Sequence, residues 1–252
     1  MQHLRIAHPA FADVLSGKKI VQLSDLHFHQ HSAHTAQAVL SRLREIQPDM
    51  ILLTGDYVRW YGSQDDYEHA LSFLGQLQAP LGVYAVMGDA DYSFSRASCL
   101  FCHRRDSADP PVAHRVIFLR DCFVDLAIGG RWLRLAGLDC WPPLRPNLAL
   151  VDSLLASEHP TILLSHTSLA YARVPASAHA LVLSGDTHGG QIRLPGLLWR
   201  ITGRKPDPDH LRGFFQEGNK MLYVTSGIGT TDIPIRLGVP PEIVVFEFER
   251  KD

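Results

Sequence analysis

Cysteine is scarce in this chain, with four residues in 252. So few thiols do not make a disulfide scaffold, and a chain this long can stand on a buried core. Long apolar runs are missing too: none approaches the roughly 20 residues a membrane-spanning helix needs. The first nine residues, Met1 to Pro9, hold no long apolar stretch and no small-residue cleavage site, so they do not read as a signal peptide. Neither sign of charge is in large excess. With a formal net charge of -2, nothing suggests a nucleic-acid binder. Apolar residues make up 46% and charged residues 20%, the balance of a globular protein rather than a disordered one. No repeat and no linker is visible, so residues 1–252 read as a single domain. The simplest compartment is the cytoplasm or the cytoplasmic face of a membrane.

Histidine, by contrast, is plentiful at 14, and several of these residues stand beside carboxylates. A lead-in strand and a loop around Gly17 fill 1–18. An apolar strand is expected at 19–24, followed by a loop with His27, His29 and His31. Helical spacing of Val39, Leu40, Leu43 and Ile46 predicts a helix over 33–47 that Pro48 stops. A strand at 50–54, a helix at 65–77 and a strand at 82–87 follow. Three strand–helix units in succession predict a parallel sheet. Residues 92–113 read as an irregular insertion. Short strands come next at 116–119, 123–128 and 132–136, with Gly129-Gly130 as a hairpin turn. A helix is expected at 147–157, strands at 161–165 and 180–184, irregular chain at 194–215, and closing strands at 221–225 and 243–248. The pattern describes two face-to-face sheets with helices outside.

Five motifs sit where an apolar run gives way to a loop: Asp25-Leu26-His27, Gly55-Asp56, Gly88-Asp89-Ala90-Asp91, His166, and Gly185-Asp186-Thr187-His188. In layered α/β folds, chemistry gathers at such edges. Carboxylates and imidazoles delivered from several strand ends suit divalent cations, and a pair of such ions can drive in-line attack on phosphorus.

In these motifs and their order the chain resembles the calcineurin-like metallophosphoesterases. That family carries D-x-H, G-D, G-N-H-D/E, a lone His and G-H-x-H. The resemblance implies an α/β fold, a four-layer αββα sandwich of two mixed sheets. It implies two divalent ions, one held by Asp25, His27, Asp56 and His188, the other by Asp56, His166, Asp89 and Asp186, with Asp56 bridging. The start Ser24-Asp25-Leu26-His27-Phe28, the run from Thr187 to Ile192 and the tail from Ser226 to Glu242 are similar to the YkuE-type branch. That branch includes UDP-2,3-diacylglucosamine pyrophosphatases, so the expected partner is a phosphorylated small-molecule or lipid substrate, with peripheral membrane contact. A general phosphodiester is the close second.

Three positions depart from the family. Asp89 replaces an Asn and Asp186 a His, which hardens the second site and favours Mn²⁺, with Mg²⁺, Fe and Zn²⁺ also open. Ala90 stands where a catalytic His is expected. Proton donation of that kind is worth about 10²–10⁴-fold, and a weakly basic leaving group needs it least. This favours a pyrophosphate or an activated diester, with His29 or His31 as substitute donors. Asp91 is expected to orient a neighbouring ligand, and Arg236 to hold a substrate phosphate. The role of Asp139 stays open.

One motif belongs to no part of this scheme. Cys99, Cys102 and His103 match the c-type haem attachment signature. A haem there would require an exported protein; a redox pair, a partial metal site or plain structural thiols are the alternatives. A second reading follows: a degenerate relative that binds metal or haem without hydrolysis. Leu197, Leu198 and Trp199 could pack under their own loop or meet lipid.

Overall fold

The computed structural model describes residues 1–29, 31–60, 62–92, 114–140, 146–192, 210–231 and 233–250. In chain order its elements are β1 (Gln2–Ala7), α1 (Pro9–Leu15), β2 (Ile20–Leu23), α2 (Ala33–Ile46), β3 (Met50–Leu53), α3 (Gln64–Leu74) and β4 (Val83–Ala85). Then come β5 (Ile117–Phe118), β6 (Cys122–Ile128), β7 (Arg131–Leu138), α4 (Val151–Leu154), β8 (Thr161–Ser165) and β9 (Ala180–Ser184). β10 (Gly213–Glu217), β11 (Lys220–Val224) and β12 (Val244–Glu249) follow.

A strand that is apolar at every position needs cover on both faces. β2, β3, β4, β8, β9 and β11 are buried throughout, and the layering follows from that. One sheet runs β1-β12-β2-β3-β4-β5 and the other β10-β11-β9-β8-β7-β6. Both are mixed: β2, β3, β4 and β5 are parallel, while β12 meets β2 antiparallel. In the second sheet β7, β8, β9 and β11 run parallel between antiparallel edges β6 and β10. Period-2 alternation sends Ile20, Met50 and Leu52 inward against Leu135, Ile162, Leu164 and Leu183, the core between the sheets. Val21, Leu23, Ile51 and Leu53 face out under α2 and α3. Leu163, Val182 and Leu222 face out under Val151, Leu154 and Tyr171. The result is the expected four-layer α/β sandwich.

Most expected strands and both long helices stand within a few residues of their places. The parallel sheet holds, with β2, β3 and β4 as its centre. Three local differences have physical causes. Residues 1–18 contain a helix as well as a strand: α1, with Pro9 at its first turn, is seven residues long, and stacking of Phe11 on Phe248 at 5.2 Å holds it down. The helix expected over 147–157 shrinks to a 3-10 turn, Leu148–Leu150, and α4. Arg134 takes the Ala156 carbonyl at 2.8 Å just beyond it. The stretch expected to be irregular over 194–215 gives way at its end to a strand, Gly213–Glu217, the half-exposed edge beside β11.

Candidate metal centre

All seven motif side chains meet above the C-terminal ends of β2, β3, β4, β8 and β9. The turns that carry them are strained. Asp25, His27, Asp56, Asp186 and His188 have φ of 51°, 43°, 58°, 68° and 50°. Side chains other than glycine rarely adopt this left-handed region, and such residues cluster at functional sites. Backbone pairing holds the turns in place beyond the strands. Asp25 N–H donates to Gly55 O at 2.9 Å, His27 N–H to Asp56 O at 3.0 Å and Phe28 N–H to Tyr57 O at 2.9 Å. Gly88 and Gly185 allow the close approach: a methyl on the first would strike the Asp56 carboxylate, and one on the second would strike Ser24 and Asp25.

Two clusters share Asp56. In one, His27 Nε2 lies 3.0 Å from His188 Nε2 and 3.2 Å from Asp56 Oδ2, and His188 Nε2 lies 3.5 Å from Asp25 Oδ1. In the other, His166 Nε2 lies 3.4 Å from Asp56 Oδ1, 3.6 Å from Asp89 Oδ1 and 3.9 Å from Asp186 Oδ1. The groups Asp25/His27/His188, Asp25/Asp56/His166 and Asp89/His166/Asp186 could each hold a metal ion. Asp25, Asp56 and the three imidazoles are buried, whereas Asp89 and Asp186 open to the cleft.

The donor set fits divalent cations. His166 Nδ1 sits 2.7 Å from the Thr54 carbonyl, which fixes the proton on that nitrogen in the neutral ring. Its Nε2 is then an aimed lone pair, and it is buried without a hydrogen-bond partner, as is Asp25 Oδ2. Four carboxylates facing three imidazoles make a charge arrangement that two dications would balance.

Without such ions the electrostatics are those of a crowded acidic cage. Burial opposes the ionisation of Asp56, but His166 and His27 outweigh it and hold this carboxyl well below the usual range. Burial likewise opposes protonation of His166, and Asp56 with Asp89 overrides it, raising the ring well above its ordinary value. Partial exclusion of water and the surrounding carboxylates push Asp186 up to about 6. Burial, reinforced by His27 and Arg236, lowers His188 to about 4.

Asp91 touches none of the clustered ring nitrogens. Its Oδ2 accepts from the amides of Asp56 at 2.9 Å and Gly88 at 2.8 Å, and its Oδ1 from the amide of Tyr57 at 2.9 Å. It therefore clamps the turn that presents Asp56. His29 lines a cleft of about 280 Å³ together with His27, Ser32, Thr35, Gly229 and Arg236. Arg236 donates to Gly229 O and, at 2.8 Å, to Ser226 O, and its Nη2 is 3.3 Å from His188 Nδ1. Asp139 stands in another network, accepting from Tyr92 Oη at 2.9 Å and Arg120 Nε at 2.5 Å. The Thr54 carbonyl and the clearance at Gly88 escaped the sequence reading. The first is a backbone atom without a side-chain signature; the second shows only as a glycine beside an acid. A larger cavity of about 790 Å³ lies between α2 and the chain leading into β4, at the opposite ends of the strands, and plays no part here. Cys99, Cys102, His103, Leu197, Leu198 and Trp199 lie outside the described residues.

The model of the calcineurin-like phosphoesterase family matches residues 18–190, a span that contains every clustered ligand. The chain belongs to this family. As a calcineurin-like phosphoesterase it is a metal-dependent hydrolase. It is 29% identical over 243 residues to the uncharacterized metallophosphoesterase YkuE of Bacillus subtilis, covering 91% of this chain and 78% of that one. It is also 29% identical over 278 residues to the UDP-2,3-diacylglucosamine pyrophosphatase LpxG of Chlamydia trachomatis, covering 91% and 83%. A transmembrane protein with metallophosphoesterase domain from Bos taurus matches at 29% identity, and this phosphoesterase spans 52% of its length. Among solved structures, the NAD nucleotidase NadN of Haemophilus influenzae shares the fold with a TM-score of 0.51 at 14% identity, covering 84% of this chain and 45% of that one. In the described residues of this family member, no helix is long and apolar enough to cross a membrane.

Proposed function

We propose that residues 1–252 form one metallophosphoesterase domain that hydrolyses a phosphoanhydride or phosphodiester, with a UDP-2,3-diacylglucosamine-like pyrophosphate as the leading substrate. The observation that carries the reaction class is the pair of clusters joined at Asp56. Asp25, His27, Asp56 and His188 would hold one divalent ion; Asp56, His166, Asp89 and Asp186 the other, with Mn²⁺ favoured by the oxygen-rich second set. Bound there, such ions supply an acidified water and neutralise charge that develops on phosphorus.

The remaining groups act around that pair. Asp91 orients Asp56 through the clamped turn. His29 substitutes for the missing donor at Ala90. Its Nδ1 accepts from the His31 amide at 3.2 Å, so a neutral ring carries its proton on Nε2, available to a leaving oxygen in the cleft. Arg236 can only donate. A His188 that ligates through Nε2 keeps its own proton on Nδ1, which then opposes the guanidinium. Ion loading would thus free Arg236 from that nitrogen for an anionic phosphate. Substrate identity rests on the likeness to LpxG alone, since a fold does not specify a substrate.

Turnover of bis(p-nitrophenyl) phosphate and of a UDP-sugar pyrophosphate by the Mn²⁺-loaded protein tests the reading. Asp56→Ala is expected to lower kcat at least about 10³-fold on both. Two bound ions without turnover of either substrate would refute it. His29→Ala should slow esters with alkoxide leaving groups by about 10²-fold and leave pyrophosphate cleavage nearly unchanged. Equal losses on both would remove the donor role.

A further inference from the structure

The segment that carries Arg236 borders the cleft that this side chain helps to line. Arg236 is half-buried and turned toward Ser226, Gly229 and His188. On either side of it, Ile233, Ile235 and Leu237 are 55%, 59% and 53% exposed. Pro234, between Ile233 and Ile235, and Gly238, just after Leu237, are exposed as well. The stretch that sets a guanidinium beside a candidate ligand also sets three aliphatic side chains in water. Leu169, 48% exposed on the turn after His166, adds to the apolar surface at this end of the strands.

Part of the backbone behind these side chains is already paired. Ile233 O accepts from Gln191 Nε2 at 2.7 Å and from Ile235 N–H at 2.8 Å. Ile235 O accepts from the same amide nitrogen at 3.1 Å, and Leu237 N–H donates to Gln191 O at 2.9 Å. Gln191 follows His188 by three residues, so the stretch is tied to the loop of a candidate ligand. Unpartnered peptide groups are what forbid irregular backbone from entering an apolar medium. Here Ile233 O, Ile235 N–H, Ile235 O and Leu237 N–H have partners, and the three aliphatic side chains are without charge.

We infer that Ile233, Ile235 and Leu237 form a rim that enters a lipid surface and seats the mouth of the metal centre on it. The site would then act on phosphoesters held at a bilayer. Size favours lipid over protein as the occupant. Three half-exposed aliphatic side chains present on the order of 300 Å², well under the roughly 800 Å² per partner that a stable protein contact buries. Shallow insertion at the headgroup boundary needs no complementary partner surface. Other exposed apolar side chains are differently placed: Arg134 covers the Phe123 ring at 3.6 Å, and Trp132 stacks on His159.

The biological use of such a rim rests on the phosphoesterase reading; the binding does not. Co-sedimentation of the full chain with phosphatidylcholine vesicles, with and without phosphatidylglycerol, measures it directly. The wild type should bind both kinds. Ile233→Asp/Ile235→Asp should weaken binding by at least about tenfold while keeping turnover of soluble bis(p-nitrophenyl) phosphate within about twofold. That turnover shows the variant to be folded. Asp56→Ala should still bind, which separates this inference from the catalytic one. Failure of the wild type to bind either vesicle, equal binding by the double variant, or a wild-type dimer that the double variant abolishes would each overturn it.

Discussion

His166 is anchored from behind by the Thr54 carbonyl and faces three carboxylates in front. That environment makes it a proton trap when no cation is present. Burial alone would lower its pKa, yet Asp56 and Asp89 raise it well above the ordinary value, so the metal-free ring holds its proton more tightly than a free imidazole. Asp186, pushed up to about 6, also holds its proton into weakly acidic solution. An incoming cation must displace these protons, and raising the pH removes the competitor. Apparent Mn²⁺ affinity is therefore expected to rise with pH, by about tenfold per unit for each proton released. Titration calorimetry in buffers of different ionisation enthalpy checks this: heats that track the buffer report proton release, and an affinity flat between about pH 6 and 8 would contradict the account. Asp91 illustrates a different lesson at this scale. Burial and Asp56 push its pKa up to about 7, while three amide donors pull against them, and the net effect is a buried clamp rather than an exposed acid.

Among the elements, α3 shows how a short local signal sets a helix start. The Ser63 side chain accepts from Asp66 N–H at 3.2 Å, and Asp66 Oδ2 accepts from Ser63 N–H at 2.7 Å, a reciprocal cap that satisfies two otherwise orphaned donors. Burial opposes ionisation of Asp66, but the Ser63 amide and Arg59 outweigh it and hold the carboxyl below the usual carboxylate range. A depressed pKa means that the ionised form favours the fold. Its contribution is present above the unfolded pKa and fades as pH falls through the folded one. Asp66→Ala should cost about 1–2 kcal/mol in urea unfolding at pH 7, and the gap to wild type should narrow in acid. α2 and α3 were legible because their apolar stripes recur at helical spacing. α1 and β10 were not. Seven residues are too few for a period to emerge, and an edge strand with one wet face does not stand out among Gly and Pro.

Across the whole molecule, the candidate centre joins the two sheets. Asp25, His27, Asp56 and Asp89 descend from the first, His166, Asp186 and His188 from the second. Gln22 links the same layers from within, donating to Thr54 Oγ1 and to Ser184 O at 3.1 Å each. A ligand that binds only the folded state stabilises it by about 2.7 kcal/mol at 100 times its Kd. For a chain of this size that corresponds to a rise in Tm of about 5–10 °C. Thermal melts with Mn²⁺ should show such a rise, a chelator should reverse it, and Asp56→Ala should lose most of it. An unchanged melting point in the wild type would speak against a site spanning both sheets.

The order of five acid–imidazole motifs, each closing an apolar run, was determined by the sequence itself, and with it the family, the layered class and the residues that can reach a cation. That much is local: strand ends are marked by composition, and ligand types by chemistry. Only the tertiary structure decided which imidazole meets which carboxylate, that five ligands sit at positive φ, that Asp91 clamps backbone rather than facing the cleft, and that Arg236 looks inward while its neighbours look out. Those properties depend on contacts between residues more than a hundred positions apart, such as His166 with Thr54 and His27 with His188, and no local pattern encodes them.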